Sequence, residues 1–260
     1  MTILGWGDLL ARRPPLDRMV RLSVGVFDGL HVGHRRLLAH ISSGPADLLP
    51  LVITFSRSTV MLRSADAFPG SILSFEQKME RIGSLGVGAA VVIDFSEEMS
   101  NLSGEAFVRL LRENLTIQKI VVGQNFRFGK KRISGTDDLK EMLSATGIEV
   151  LVTEPVLHGG SMVSSSRIRA AIRGGDLGEA REMLACRHAI DLRGIGDRSS
   201  NGKVLRIDRR EIVQVLPPDG EYTVMSEGPA GRVQGTCRID TDSLTLAAEN
   251  SGSAAALVFP

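Results

Sequence analysis

The sequence predicts an α/β protein: a parallel sheet covered on both faces by helices, followed by a small β-rich module. Three observations carry this. The first 185 or so residues alternate short apolar, β-branched runs with amphipathic segments of helical spacing. One such run breaks at glycine and passes through His31-Val32-Gly33-His34 into a helical pattern. After Ala185 the chain changes to short strand-like runs punctuated by Gly194, Gly196, Gly202, Pro217, Pro218, Gly220, Gly228 and Pro229.

Strands are expected over 20–27, 49–55, 89–95, 117–122 and 148–152, each apolar and of strand length. Helices are expected over 35–41, 75–85, 104–113 and 137–145, where leucines, isoleucines and phenylalanines recur at helical spacing. Strands this apolar, separated by helices, belong to a sheet buried on both faces. Beyond 186, runs at 212–216 and 221–225 suggest a small antiparallel module, and the small polar residues of 249–256 suggest a loosely ordered end. The expected domains are therefore 1–186 and 187–260.

Composition narrows the function class. The 260 residues carry 43% hydrophobic residues and a formal net charge of +1, with no block of like charge that would suggest a nucleic-acid tail. Two cysteines, Cys186 and Cys237, form no disulfide framework, and no Cys-x-x-Cys stands with the five histidines to suggest zinc. The N-terminus has neither a signal-peptide pattern nor a transmembrane run, so a cytoplasmic protein without membrane or nucleic-acid partners is expected.

Three constellations carry chemistry. In the first, 22–34, Gly29 and Gly33 let the backbone turn and approach a ligand, while His31 and His34 sit just before and at a helix start. Unpaired amides and two imidazoles there suit a nucleotide phosphate; ordinary turn histidines are the alternative. Asp28 can face a metal or cap the turn, and Phe27 ends the strand. Because ligands of such sheets lie beyond the carboxyl ends of the strands, position alone also points to this loop.

In the second, Gly123 ends a strand and is followed by Gln124, Asn125, Phe126, Arg127, Phe128, Gly129 and the cations Lys130, Lys131 and Arg132. An aromatic ring there can stack on a planar heterocycle or anchor the loop in the core, and an amide can bond a base, ribose or phosphate. In the third, Ser164, Ser165 and Ser166 precede Arg167, Ile168 and Arg169 at a helix start. Hydroxyls there cap a helix; with a guanidinium one turn inside, they can also hold a polyphosphate.

The order of these motifs resembles the adenylyltransferase module of the bacterial bifunctional riboflavin kinase/FAD synthetases, over about the first 185 residues. Val163 to Arg169 resembles the Ile-Ser-Ser-Thr-x-Ile-Arg motif of nucleotidylyltransferases, and 123–129 the family's Gly-x-Asp/Asn-Phe-x-Phe-Gly loop. The resemblance implies a Rossmann-like nucleotidylyltransferase domain transferring AMP from ATP to FMN, with FAD and pyrophosphate as products and Mg2+ accompanying ATP. It implies His31, His34 and Arg169 as catalytic. It places ATP on Gly25, Phe27, Asp28, Gly29, Gly33, Ser165, Ser166 and Arg169, and FMN on Asn125, Phe126, Arg127, Phe128 and Phe55. No protein metal ligand is implied.

Two departures stand out. The family's Thr-Phe-x-Pro-His-Pro is replaced by Thr54-Phe55-Ser56-Arg57-Ser58-Thr59, which loses two rigid prolines. The kinase half's Gly-Phe-Pro-Thr-Ala-Asn segment is missing between Gly194 and Leu216. Residues 187–260 are therefore expected to be a truncated, barrel-like kinase remnant without riboflavin kinase activity. The alternatives are transfer to another phosphorylated acceptor, or flavin or nucleotide binding without catalysis.

Overall fold

The computed structural model describes residues 1–11, 16–56, 68–94, 101–196, 198–229 and 231–260. These form two compact units. One holds the described residues of Met1–Ala65 and Met79–Leu157, the other those of Asp66–Lys78 and His158–Pro260.

The first unit is the expected parallel sheet. Its strands are β1 (Thr2–Gly5), β2 (Val20–Val24), β3 (Leu49–Phe55), β4 (Ala89–Ile93), β5 (Ile117–Gly123) and β6 (Glu149–Thr153). They lie in the order β1-β4-β3-β2-β5-β6, every neighbouring pair parallel. Helices α1 (Trp6–Leu10), α2 (Val32–Ser42), α3 (Phe75–Ser84, whose first turn falls in the second unit), α4 (Gly104–Asn114) and α5 (Thr136–Leu143) connect them. Leu22, Leu51, Ile53, Val91 and Val122 are buried on the sheet, and Phe107, Val108 and Leu111 of α4 join the same core. Such strands cannot face water on either side, and their apolar content made them readable in the sequence. Ser103 starts α4, its hydroxyl accepting from the Ala106 N–H at 3.2 Å.

The strand order determines where a ligand can enter. From β2 the chain moves outward through β3 and β4, then returns to place β5 on the other side of β2. The connections leaving β2 and β5 thus part at their carboxyl ends, at the sheet's topological switch point. The Ser23 hydroxyl donates to the Val121 carbonyl at 2.7 Å, a buried bond that ties the two strands together there.

The second unit contains α6 (Ser165–Arg173), α7 (Leu177–Leu184) and a seven-stranded antiparallel sheet. The strands are β9 (Ala189–Asp191), β10 (Arg198–Ser200), β11 (Val204–Asp208), β12 (Gly220–Gly228), β13 (Gly231–Ile239), β14 (Ser243–Ala247) and β15 (Ala256–Val258). They are ordered β10-β11-β14-β13-β12-β15-β9. A two-stranded hairpin, β7 (Leu157–His158) and β8 (Ser161–Met162), turns at Gly159-Gly160 between β6 and α6. The change of character expected after 186 falls where α7 gives way to β9, whereas the compact units group α6, α7 and residues 68–78 with the β strands.

Several expectations change. Strand β2 stops at Val24 rather than 27, because Phe27 takes a left-handed backbone with φ 53°. Helix α2 starts at Val32, three residues before the expected start. The run 212–216 is not a strand of the sheet; Gln214 makes an isolated parallel bridge to Ser71. The end of the chain is ordered: β15 pairs with β12 and β9, and Ser251 and Phe259 are fully buried. Phe95, expected in the β4 strand, and Arg57, Ser58 and Thr59 lie outside the described residues. Among the described residues no helix is long and apolar enough to cross a membrane.

Leu51 is fully buried at the sheet centre, so Leu51→Ala is expected to cost about 2–5 kcal/mol. Ile3, half-exposed on edge strand β1, is expected to tolerate alanine within about 0.5 kcal/mol. Urea-denaturation midpoints of the two variants check the contrast.

Candidate active site

The loop after β2 is held from several sides. The Gly25 N–H donates to the Ile53 carbonyl at 3.0 Å, and the Thr54 hydroxyl to the Val26 carbonyl at 3.1 Å. Phe27 and Leu30 both adopt left-handed backbones, with φ 53° and 44°, and both side chains are fully buried. Non-glycine residues in this region cost on the order of 1 kcal/mol each, a strain that packing must hold in place. Phe27 therefore serves as a peg: its ring lies under Gly25, where a Cβ would come within 3.1 Å, and meets His34 edge-on at 5.3 Å between centroids. Gly29, with φ 83°, completes the turn, and Asp28 is buried beside it.

His31 is the N-cap of α2. Its Nδ1 accepts the His34 N–H at 3.4 Å, so the neutral ring carries its proton on Nε2. The imidazoles of His31 and His34 stack with centroids 3.7 Å apart and planes 19° from parallel. Gly33 makes room for this, since a Cβ there would lie 3.2 Å from the His31 ring. Burial lowers the His31 pKa to about 4. Burial also lowers that of His34 well below its ordinary value, and repulsion from His31 adds to the effect. His34 Nδ1 is buried and has no hydrogen-bond partner among the described residues. The pair is thus two neutral imidazoles, that of His34 partly unsatisfied, at the start of an eleven-residue helix, where backbone amides and the dipole favour an anion.

The loop after β5 stands on the other side of the switch point. Phe128 is buried in the core, near Phe107, with a centroid separation of 6.1 Å. Phe126 is half-buried and stacks on Phe128 at 5.2 Å, so the two rings anchor the loop. The Phe128 N–H donates to the Ser134 carbonyl, and the Lys130 N–H to the Leu102 carbonyl. Asn125 and Arg127 are exposed. At Gly123 a Cβ would meet nothing within 4 Å among the described residues, so the fold itself does not demand glycine there. Phe55 ends β3, half-buried.

The third constellation lies in the second unit. Ser164 caps α6, its hydroxyl accepting from the Arg167 N–H at 3.3 Å, which leaves Ser165 and Ser166 as the first helical residues. Arg167 is used internally: its guanidinium donates to the His158 and Ser161 carbonyls and pairs with Glu179. Arg169 is 7% exposed; its Nε donates to the Gly70 carbonyl at 2.8 Å and its guanidinium lies 5.4 Å from the Phe68 ring centroid. Phe68 and Gly70 were not anticipated as its partners; Pro69-Gly70 signals only a turn. The structure thus joins His31, His34, Phe27 and the glycines in one loop, and Ser165, Ser166 and Arg169 on one helix of the other unit.

The model of the FAD synthetase family matches residues 14–167, more than half of the chain. The chain belongs to the FAD synthetase family. It is 30% identical to an FAD synthetase of Listeria monocytogenes over 208 residues, covering 79% of this chain and 81% of that one. A bifunctional riboflavin kinase/FMN adenylyltransferase of the same species is 30% identical over 63% of this chain and 52% of its own length. The Escherichia coli bifunctional enzyme is 29% identical over 78% and 66%. This family member therefore spans about half to two thirds of those bifunctional relatives. In fold, it is similar to a solved structure described as a macrolide-efflux protein from Streptococcus pneumoniae, with TM-score 0.80 and 20% identity over 100% of this chain and 98% of that one.

Burial of neutral His31 couples stability to pH. Below pH 6.5 the unfolded chain takes up a proton on residue 31, whereas the folded chain does so only near pH 4. The unfolded state therefore binds more protons in this window, and stability falls as pH drops through it. Asparagine also caps helices, so His31→Asn keeps the cap and removes this titration. Between pH 7 and 4.5 the wild type is expected to lose about 2–3 kcal/mol more than His31→Asn, read from denaturant midpoints.

Proposed function

We propose that this chain is an FMN adenylyltransferase, making FAD and pyrophosphate from ATP and FMN and leaving riboflavin unphosphorylated. The observation that carries the reading is the stacked His31–His34 pair at the α2 N-terminus, His31 buried and His34 half-buried, beside the switch point of a parallel sheet. Family membership supplies the substrates: the Listeria relative carries the FAD synthetase name.

The chemistry needs little beyond positioning and charge compensation. An FMN phosphate oxygen bonds to the α-phosphorus of ATP, and the bond from that phosphorus to the bridging oxygen breaks, releasing pyrophosphate. A phosphate is already nucleophilic at neutral pH, so no general base is required. The α2 amides, Gly29, Gly33 and the Nε2–H of His31 stabilise the transferred phosphate, with His34 beside it. Gly25, Phe27 and Asp28 shape that loop. Ser165, Ser166 and Arg169 hold the leaving pyrophosphate. Asn125 and Arg127 contact FMN from the loop that Phe126 and Phe128 anchor, and Phe55 lines the same end of the sheet.

Mg2+ enters with ATP as part of the substrate. Among the described residues no group of three or more His, Cys, Asp or Glu could hold a metal ion. The lost kinase segment supports a remnant role for 187–260, and two cysteines held as thiols, Cys186 and Cys237, support a reducing, cytoplasmic setting.

Incubation with Mg-ATP and either FMN or riboflavin, followed by chromatography, is expected to give FAD from FMN and no FMN from riboflavin. His34→Ala and Arg169→Ala are each expected to lower turnover by about 10²-fold or more while the fold persists. Unchanged turnover in both would sink the assignment. An anion beside the imidazoles raises their proton affinity, so Mg-ATP binding near pH 6.5 is expected to take up protons. Calorimetry in buffers of different ionisation enthalpy checks this; a buffer-independent heat speaks against the pair as the phosphate site.

A further inference from the structure

Arg169 is held from segment 68–74. Its Nε donates to the Gly70 carbonyl, and Phe68 lies against its guanidinium, so the arginine's aim depends on the segment 68–74. That segment, although it lies between β3 and β4 in the chain, is fastened within the second unit to residues 189–215. The Ser71 N–H donates to the Val213 carbonyl at 2.9 Å, and the Val215 N–H to the Ser71 carbonyl at 2.8 Å. Gly70, with φ 98°, presses so closely on this stretch that a Cβ would lie 2.5 Å from the Val215 nitrogen.

At the centre is Gln214, 4% exposed. The two N–H groups of its amide are shared among the Ile72 carbonyl at 3.0 Å, the Ala189 carbonyl at 2.9 Å and Gln77 Oε1 at 3.1 Å, while its oxygen accepts the Asp191 N–H at 2.7 Å. Ser74 completes the attachment by donating to the Asp191 carboxylate.

Resting on the adenylyltransferase reading of Arg169, we infer that Gln214 is a positioning residue for ATP: it fixes segment 68–74, whose Gly70 carbonyl aims Arg169 at the pyrophosphate end of the nucleotide. This gives the β module a role in the adenylyl transfer itself, independent of any kinase chemistry. Gln214 touches no substrate in this scheme; it acts through Arg169.

The test is a double-mutant cycle on the full chain, read first by calorimetry with Mg-ATP. Gln214→Met keeps the side-chain volume and removes the amide, and is expected to weaken Mg-ATP binding about tenfold. In an Arg169→Ala background the same change is expected to add nothing. Gly70→Ala, which displaces the carbonyl from the other side, is expected to behave likewise and serves if Gln214→Met fails to fold. In the steady state, KM for ATP rises and KM for FMN does not. Wild-type affinity in both folded variants would overturn the proposal, as would losses that multiply with that of Arg169→Ala, or equal rises in both KM values. A wild-type chain that binds Mg-ATP without forming FAD overturns the adenylyltransferase reading instead, and the binding cycle still decides on Gln214. No Mg-ATP binding by the wild type overturns both.

Discussion

The pairing of β2 with β5 is the constraint on which the rest of the first unit depends. Had the chain continued outward from β4, the connections after successive strands would all have run the same way, with no place for them to part. Bringing β5 back beside β2 instead divides the two loops that carry the chain's phosphate-type and aromatic-type motifs. The Ser23 hydroxyl on the Val121 carbonyl satisfies a polar side chain in a strand whose every residue is buried, so the central pair tolerates a serine without a desolvation penalty. The backbone then has to leave β2 abruptly. Phe27 and Leu30 do this in left-handed conformations that only their complete burial maintains.

Burial also determines what the histidines can be. Two imidazoles 3.7 Å apart in a desolvated place cannot both carry charge without a counter-ion, so the loop favours neutral rings. A lysine pair at the same positions would hold permanent charge and be far harder to bury.

How much of this was readable in the sequence depends on the kind of signal. The parallel strands were readable because burial on both faces leaves continuous apolar runs, and the His31–His34 loop because its glycines and spacing are local features. Strand β1 and helix α1 were missed: four and five residues are too short to show a period, and β1 gains its identity only from pairing with β4. The hairpin of β7 and β8 had a signal, Gly159-Gly160, that went unused. For Phe126 and Phe128 the sequence left stacking and anchoring both open, and the burial of Phe128 assigns it to the core. Gly70 as the partner of Arg169 was beyond reach, because 99 residues separate them and nothing in either neighbourhood encodes the other.

The β module poses a sharper question, namely why segment 68–74 should be held with polar groups. Apolar packing would fasten segment 68–74 with less risk, since each buried amide of Gln214 and Gln77 is costly if left unpaired. Apolar contacts, however, tolerate sliding and rotation, whereas a carboxamide that must satisfy Ile72, Ala189, Gln77 and Asp191 together fixes position and orientation at once. A carbonyl meant to aim a guanidinium needs that kind of definition. A segment that only had to cover apolar surface would not. The chemistry of the attachment therefore argues that the module was kept for where it places Gly70, and not merely for the area it covers.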